Sequence, residues 1–192
     1  MKQLFLILSV IFLSSVYCYA REYNDSDSTK VEYQVYGCDT LVTEKYHDMF
    51  IRGLKQYSNY IPVNYKGIDP DIINSEINKY LVKEALNFIT EIFDGYGKER
   101  CKEMLNIFEE VDHAFIFFIQ QKINIEGDIT CVEFMYIPEL SPFMTYEDVK
   151  RNTGIIINRE PAPFLAKYGI ELSPWITTPI IRPFIQKYLE EK

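Results

Sequence analysis

Residues 69–121, DPDIINSEINKYLVKEALNFITEIFDGYGKERCKEMLNIFEEVDHAFIFFIQQ, decide how the chain is read. Asp69-Pro70 places a capping side chain ahead of a proline at the first helical position. Ile73, Ile77, Leu81, Ala85, Phe88, Ile89 and Ile92 then recur every three or four residues, which aligns them on one helix face. Gly95 and Gly97 stop that helix after Asp94. A second stripe follows from Lys98 to Gln121: Cys101, Met104, Leu105, Phe108, Val111, Phe115, Phe118 and Ile119. At about 1.5 Å per residue each helix is roughly 35–40 Å long. A link as short as Gly95-Tyr96-Gly97 makes the two antiparallel neighbours.

Upstream, residues 40–60 read as a first helix. Asp39 or Thr40 can cap it, and Val42, Tyr46, Met49, Phe50, Leu54, Tyr57 and Ile61 share the three-and-four spacing. Ile61-Pro62 ends it, because a residue before proline avoids the helical region. Val31 to Gly37 alternates apolar with polar residues, which fits a short strand or an extended lead-in. Downstream, Ile123 to Tyr136 fits a β-hairpin about the Glu126-Gly127-Asp128 turn. Thr145 with Asp148 is a helix-start signal, and β-branched Gly154 to Ile157 could add an edge strand. Prolines 161, 163, 174, 179 and 183 divide the rest into short helices: Pro161 to Tyr168, Pro174 to Thr177 and Pro183 to Glu190. The expected fold is mainly α: three long helices in an antiparallel bundle, a small β-hairpin after the third, and a C-terminal cover of short helices.

The N-terminus has its own pattern. Lys2 precedes the apolar run Leu4 to Leu13, and Ala20 stands before the charged Arg21-Glu22. A charged start, an apolar run of about ten residues and a small residue before polar chain make a cleavable secretory signal peptide, residues 1–20. The run is too short for a membrane anchor, which needs about 20 apolar residues. Cleavage leaves residues 21–38 as a polar tail and lead-in and 39–192 as one domain, large enough for a core. The net charge of −8 becomes −9 once Lys2 leaves. Such a surface repels phosphate backbones, so no nucleic-acid partner is expected, and it argues against simple electrostatic attachment to anionic lipid. Asn24-Asp25-Ser26 is a glycosylation acceptor sequence for a eukaryotic host.

Cleavage also removes Cys18 and leaves Cys38, Cys101 and Cys131. In an oxidising compartment two of these are expected to pair. Helices running up, down, up put Cys38 and Cys101 at one end of the bundle, which favours Cys38–Cys101 over Cys38–Cys131. A loop of that length stabilises by roughly 4 kcal/mol. The remaining thiol could link two chains.

Catalytic constellations are sparse. His47-Asp48 follows Tyr36-Gly37-Cys38, an order also found in the secreted phospholipases A2, where the histidine is a base for water and the aspartate holds calcium, but no resemblance to that family is claimed. No cysteines flank His47, and no glycine-rich loop lies between Cys38 and His47. One carboxylate without loop carbonyls makes no calcium site. The pair therefore reads as a solvent-facing pair on the first helix, and the family is not assigned. Glu109 and His113 share a helix face but lack the third and fourth ligands zinc needs. No metal, cofactor or catalytic residue is expected. Phe108, Phe115, Phe117 and Phe118, with Trp175 as a lid, either fill the core or line a pocket for a small apolar, lipid-like ligand. The leading expectation is a secreted, non-enzymatic binding protein whose target is another protein, and the alternative is an extracellular carrier of that apolar ligand. A hydrolase of unfamiliar type, on the two histidines, is the third.

Overall fold

A computed structural model describes residues 30–58, 78–111, 116–159, 171 and 175–191. The signal peptide, Asn24, the expected caps at Asp69-Pro70, Phe115, His113 and the Pro161–Gly169 segment lie outside the described residues. Six antiparallel strands form one sheet in the order β1-β2-β3-β5-β4-β6. They are β1 (Val31–Tyr36), β2 (Asp39–Tyr46), β3 (Met49–Leu54), β4 (Phe117–Ile123), β5 (Ile129–Tyr136) and β6 (Trp175–Thr177). Among the described residues three α-helices accompany them: α1 (Asn78–Glu110), α2 (Tyr146–Ile157) and α3 (Thr178–Glu191). The mainly helical bundle is thus replaced by a sheet carrying helices.

The first expected helix is a β-meander. β1 and β2 meet at the two-residue turn Gly37-Cys38, with Gly37 at φ 63°. β2 and β3 meet at His47-Asp48, with His47 at φ 50°. Two-residue hairpin turns need positive φ at their first central position, and histidine enters that region more readily than most residues. Val42, Tyr46, Phe50 and Leu54 are four apart, a spacing that satisfies a strand period of two as well as a helical one. Of the three apolar side chains the sheet buries there, Leu54 lies on the helical stripe, while Leu41 and Ile51 stand outside it.

The second and third expected helices are the two halves of α1. Gly97, at φ 76° and ψ 167°, breaks it where the sequence places the stop. The Cys101 thiol reaches the Phe93 carbonyl at 3.4 Å, though eight residues of straight helix would span roughly 12 Å, so the chain turns sharply there. The second half ends at Glu110, not Gln121, and Phe117 to Gln121 belong to β4. The hairpin about Gly127 exists but is larger than expected, joining the whole of β4 to β5.

Gly154 to Ile157 is helical, not an edge strand, because the Thr145–Asp148 capping box starts α2 and Val149 and Ile156 bury one face of it. Trp175 to Thr177 is a strand rather than a helix, paired with β4 from Phe118↔Thr177 to Gln120↔Trp175. Pro179 and Pro183 both lie within α3, the first in its opening turn, where no backbone donor is needed.

Register assigns the faces. Opposed residues share a face, so Leu41, Leu54, Val132, Phe134, Tyr136, Phe117, Ile119 and Ile176 line up on one side. All eight belong to one buried cluster with Phe88, Ile92, Met104 and Phe108 of α1, Val149 of α2 and Ile181 of α3. Gly97 sits in backbone space that only glycine occupies without strain, and nothing lies within 4 Å of an added Cβ. Gly97→Ala is therefore expected to lower stability by about 1–3 kcal/mol through the backbone alone, read as a lower urea midpoint with an unchanged slope.

Candidate functional site

Of the aromatic residues singled out in the sequence, the side chains of Phe108, Phe117 and Phe118 are described, and they do not share one face. Phe108 and Phe117 are fully buried in the core. Phe118 follows Phe117 along β4 and so projects from the opposite face of the sheet, where it is half-buried. Trp175 pairs in register with Gln120. His47 and Asp48 form an exposed turn, with the imidazole edge-on to Tyr46. Glu109 and Glu110 are exposed at the end of α1.

The expected disulfide is absent: Cys38, Cys101 and Cys131 are all free. Cys38 stands exposed in the β1–β2 turn, while Cys101 is buried in the helix-covered core. Cys131 lies opposite Lys122, on the other face of the sheet from the core residue Val132. A sheet therefore separates the two buried thiols, a relation that a bundle would not impose. Burial pushes the Cys101 thiol up to about 11 and the Cys131 thiol up to about 12, so both stay protonated and unreactive near neutrality.

Among the described residues a dense polar cluster joins α1 to α2. Arg100 grips Asp148 through two bonds of 2.8 Å, and Arg151 approaches the same carboxylate at 3.4 Å. Thr145 adds a 2.7 Å hydroxyl bond. The buried Tyr96 hydroxyl donates to the Phe143 carbonyl at 2.7 Å and accepts from Asn152 at 2.9 Å. Both guanidiniums lie over its ring, at 4.7 and 4.6 Å. Burial works against ionisation of Asp148, but the hydrogen bonds from Arg100 and Thr145 outweigh it and hold the carboxyl below the usual carboxylate range. Burial raises the Tyr96 phenol, which remains a neutral donor. Each group named here is bonded within the fold, and Asp148 and Tyr96 are buried, so the cluster braces two helices.

The open chemistry lies at the edge of the sheet. β1 ends the strand order and is exposed along its whole length. Of the five exposed large apolar side chains among the described residues, four are on it, including Val31 (39%), Tyr33 (61%) and Val35 (74%). The backbone there has a definite polarity. Lys45 N–H donates to the Lys30 carbonyl, which makes the 30/45 pair a hydrogen-bonded one. Alternation then turns the N–H and C=O of Glu32, Gln34 and Tyr36 toward β2 and those of Val31, Tyr33 and Val35 outward. Among the described residues no strand lies beyond β1 to pair with those outward groups, and Lys55 stands 5.9 Å from the centre of the Tyr33 ring.

The edge is also held in place. Tyr36 stacks on Tyr146 of α2, with centroids 4.1 Å apart and planes 3° from parallel. Asp39, just past the turn, accepts from Tyr146 at 2.8 Å and pairs with Lys150 at 2.9 Å. Those bonds keep its carboxyl below the usual range. Lys30 pairs with Glu32 at 2.7 Å, which leaves the strand without net charge. Nothing in the sequence marked this site beyond the alternation of Val31 to Gly37, because an edge is a property of strand order.

No protein-family model matches the chain, and no curated protein or solved structure matches it.

Two outcomes follow from the buried groups. In the folded protein a maleimide is expected to label Cys38 rapidly and Cys101 and Cys131 only after denaturation, as peptide mapping by mass spectrometry would show. Asp148→Asn is expected to cost about 2 kcal/mol, less than a fully buried pair would because Arg100 is 35% exposed. Since the folded carboxyl lies below its unfolded value, its contribution is complete above about pH 4 and is lost as pH falls through the folded value. The stability gap between wild type and Asp148→Asn should accordingly close in acid, measured by urea titration from neutral pH downward.

Proposed function

We propose that the protein is a non-enzymatic binding protein of the secretory route that receives an extended polypeptide strand along the free edge of β1. One observation carries this reading. Val31, Tyr33 and Val35 present three outward donors and three outward acceptors in a row, beside three exposed apolar side chains. Strand addition draws affinity from such main-chain bonds and specificity from alternate side chains. The anchors at Tyr36 and Asp39 hold the acceptor strand in its bound geometry, which lowers the ordering cost of binding. The N-terminal leader pattern supports the secretory route. Among the described residues no helix is long and apolar enough to cross a membrane.

The test uses the direction of each backbone group. Tyr33→Pro deletes an outward N–H and leaves the bonds to β2 in place, a substitution that edge strands tolerate. A panel of extended peptides with alternating apolar residues should include binders whose affinity falls at least tenfold on Tyr33→Pro. N-methylation at alternate peptide positions should abolish their binding. Strand addition at β1 is ruled out if no peptide in the panel responds to either change.

A further inference from the structure

We propose that the strand received by β1 is β1 of a second copy of this chain, paired antiparallel about a two-fold axis through Tyr33. The inference rests on the strand-addition reading and names its occupant. Residues 31–35 read Val-Glu-Tyr-Gln-Val, the same in both directions except for the exchange of Glu32 with Gln34. In an antiparallel pair of identical strands, residue i faces residue j at a constant sum of i and j. Only one sum uses all three outward-facing residues at once, the one that sets Tyr33 against Tyr33 and each Val31 against the other copy's Val35. Each of these is then a hydrogen-bonded pair exchanging two bonds, so about six main-chain bonds close the interface.

The side chains agree with that register. Val31, Tyr33 and Val35 emerge on one face, the one opposite the helices, so apolar meets apolar across the seam. On the helix side each Glu32 faces a Gln34, whose amide can donate to the carboxylate, and no two carboxylates oppose each other. This local match matters because each copy is acidic, −8 over the full sequence and −9 once Lys2 leaves, which disfavours approach at any less balanced patch. The contact is isologous and closed, joining two six-stranded sheets into one. It is also non-covalent. The two Cys38 turns stand at opposite ends of the paired strands, ten positions apart, or roughly 34 Å.

Sedimentation velocity on the chain as the cell processes it is the test. A dimer is expected at about 100 µM, a concentration that populates even a micromolar complex. It should persist in reductant and tighten with salt as the net charges are screened. Gln34→Glu, which leaves the backbone untouched, puts like charges opposite each other twice and should weaken the dimer roughly fivefold at low salt, with recovery at high salt. In a Cys38→Ser background, Tyr33→Cys should give a disulfide-linked dimer on mild oxidation, because hydrogen-bonded antiparallel partners have Cα atoms about 5.5 Å apart. Glu32→Cys, which faces Gln34, should not. A monomer at that concentration overturns the self-pairing. If the edge still binds peptides in a Tyr33-dependent way, strand addition stands and the occupant is another polypeptide. If it binds none, both readings fall. A dimer indifferent to Gln34→Glu and refractory to Tyr33→Cys cross-linking also overturns the proposal, since its interface then lies elsewhere.

Discussion

Three residue pairs join the two halves of the sheet: Phe50 with Tyr136, Ile51 with Met135 and Arg52 with Phe134. On one side lies the meander β1-β2-β3, and on the other the hairpin β4-β5 with β6 beside it. Arg52 makes the join specific. Its Nε donates to Thr43 on β2 at 2.9 Å, its Nη1 to the Met144 carbonyl ahead of α2, and its guanidinium rests 5.7 Å from the centre of the Tyr136 ring. One side chain thereby ties two strands of the meander to β5 and to the entry of a helix. A slip of one residue at this seam would turn Phe50 and Arg52 to the far face and break all three contacts.

Everything the helices cover depends on that register. Leu41 and Leu54 join Phe134, Tyr136 and Phe117 in one apolar layer only because the seam aligns them, and α1, α2 and α3 pack on it. Thr178 fixes the far end. Its hydroxyl accepts from the buried N–H groups of Ile116 and Phe117 at 3.1 and 2.9 Å and donates to the Phe117 carbonyl at 3.1 Å, so α3 begins where β4 does. At the near end Arg100, Asp148 and Tyr96 lock α2 against the bend in α1. The meander and the β4-β5 hairpin close through turns of two to five residues. The seam between them joins residues 82 to 86 positions apart, so loop closure must precede its reward.

That separation explains which parts of the sequence were legible. Signals confined to a few residues survived: the glycine break at Gly97, the hairpin at Gly127, the Thr145–Asp148 cap and the alternation of β1. Residues 40–54 misled because their apolar positions are four apart, a multiple of the strand period and nearly one helical turn. The turn that divides them is His47-Asp48, without the Asn-Gly or Asp-Gly that announces a hairpin. Phe117 stood off the helical stripe, and apolar residues on more than one face suit an interior strand as well as a central helix. The misplaced disulfide followed from the wrong architecture, since a sheet has two faces and puts Cys101 and Cys131 on different ones.

The two edges of the sheet are treated unequally, and the difference bears on purpose. β6 is three residues long and passes directly into α3, so it offers a partner little ladder to extend. Brevity of that kind is a common protection against unwanted pairing. β1 is twice as long and has no proline, and its one acidic residue, Glu32, is neutralised by Lys30. Glu32 also sits on the helix side, away from the exposed row of Val31, Tyr33 and Val35. Such a strand is an aggregation hazard unless something occupies it. The chain nonetheless stiffens this edge, through the Gly37-Cys38 turn, the Tyr36–Tyr146 stack and the Asp39–Lys150 pair, where a lysine or proline on the outer row would have blunted it. Stiffening an edge favours whatever binds it in that geometry, and the near-palindrome of residues 31–35 restricts that geometry to one register for a copy of the same chain.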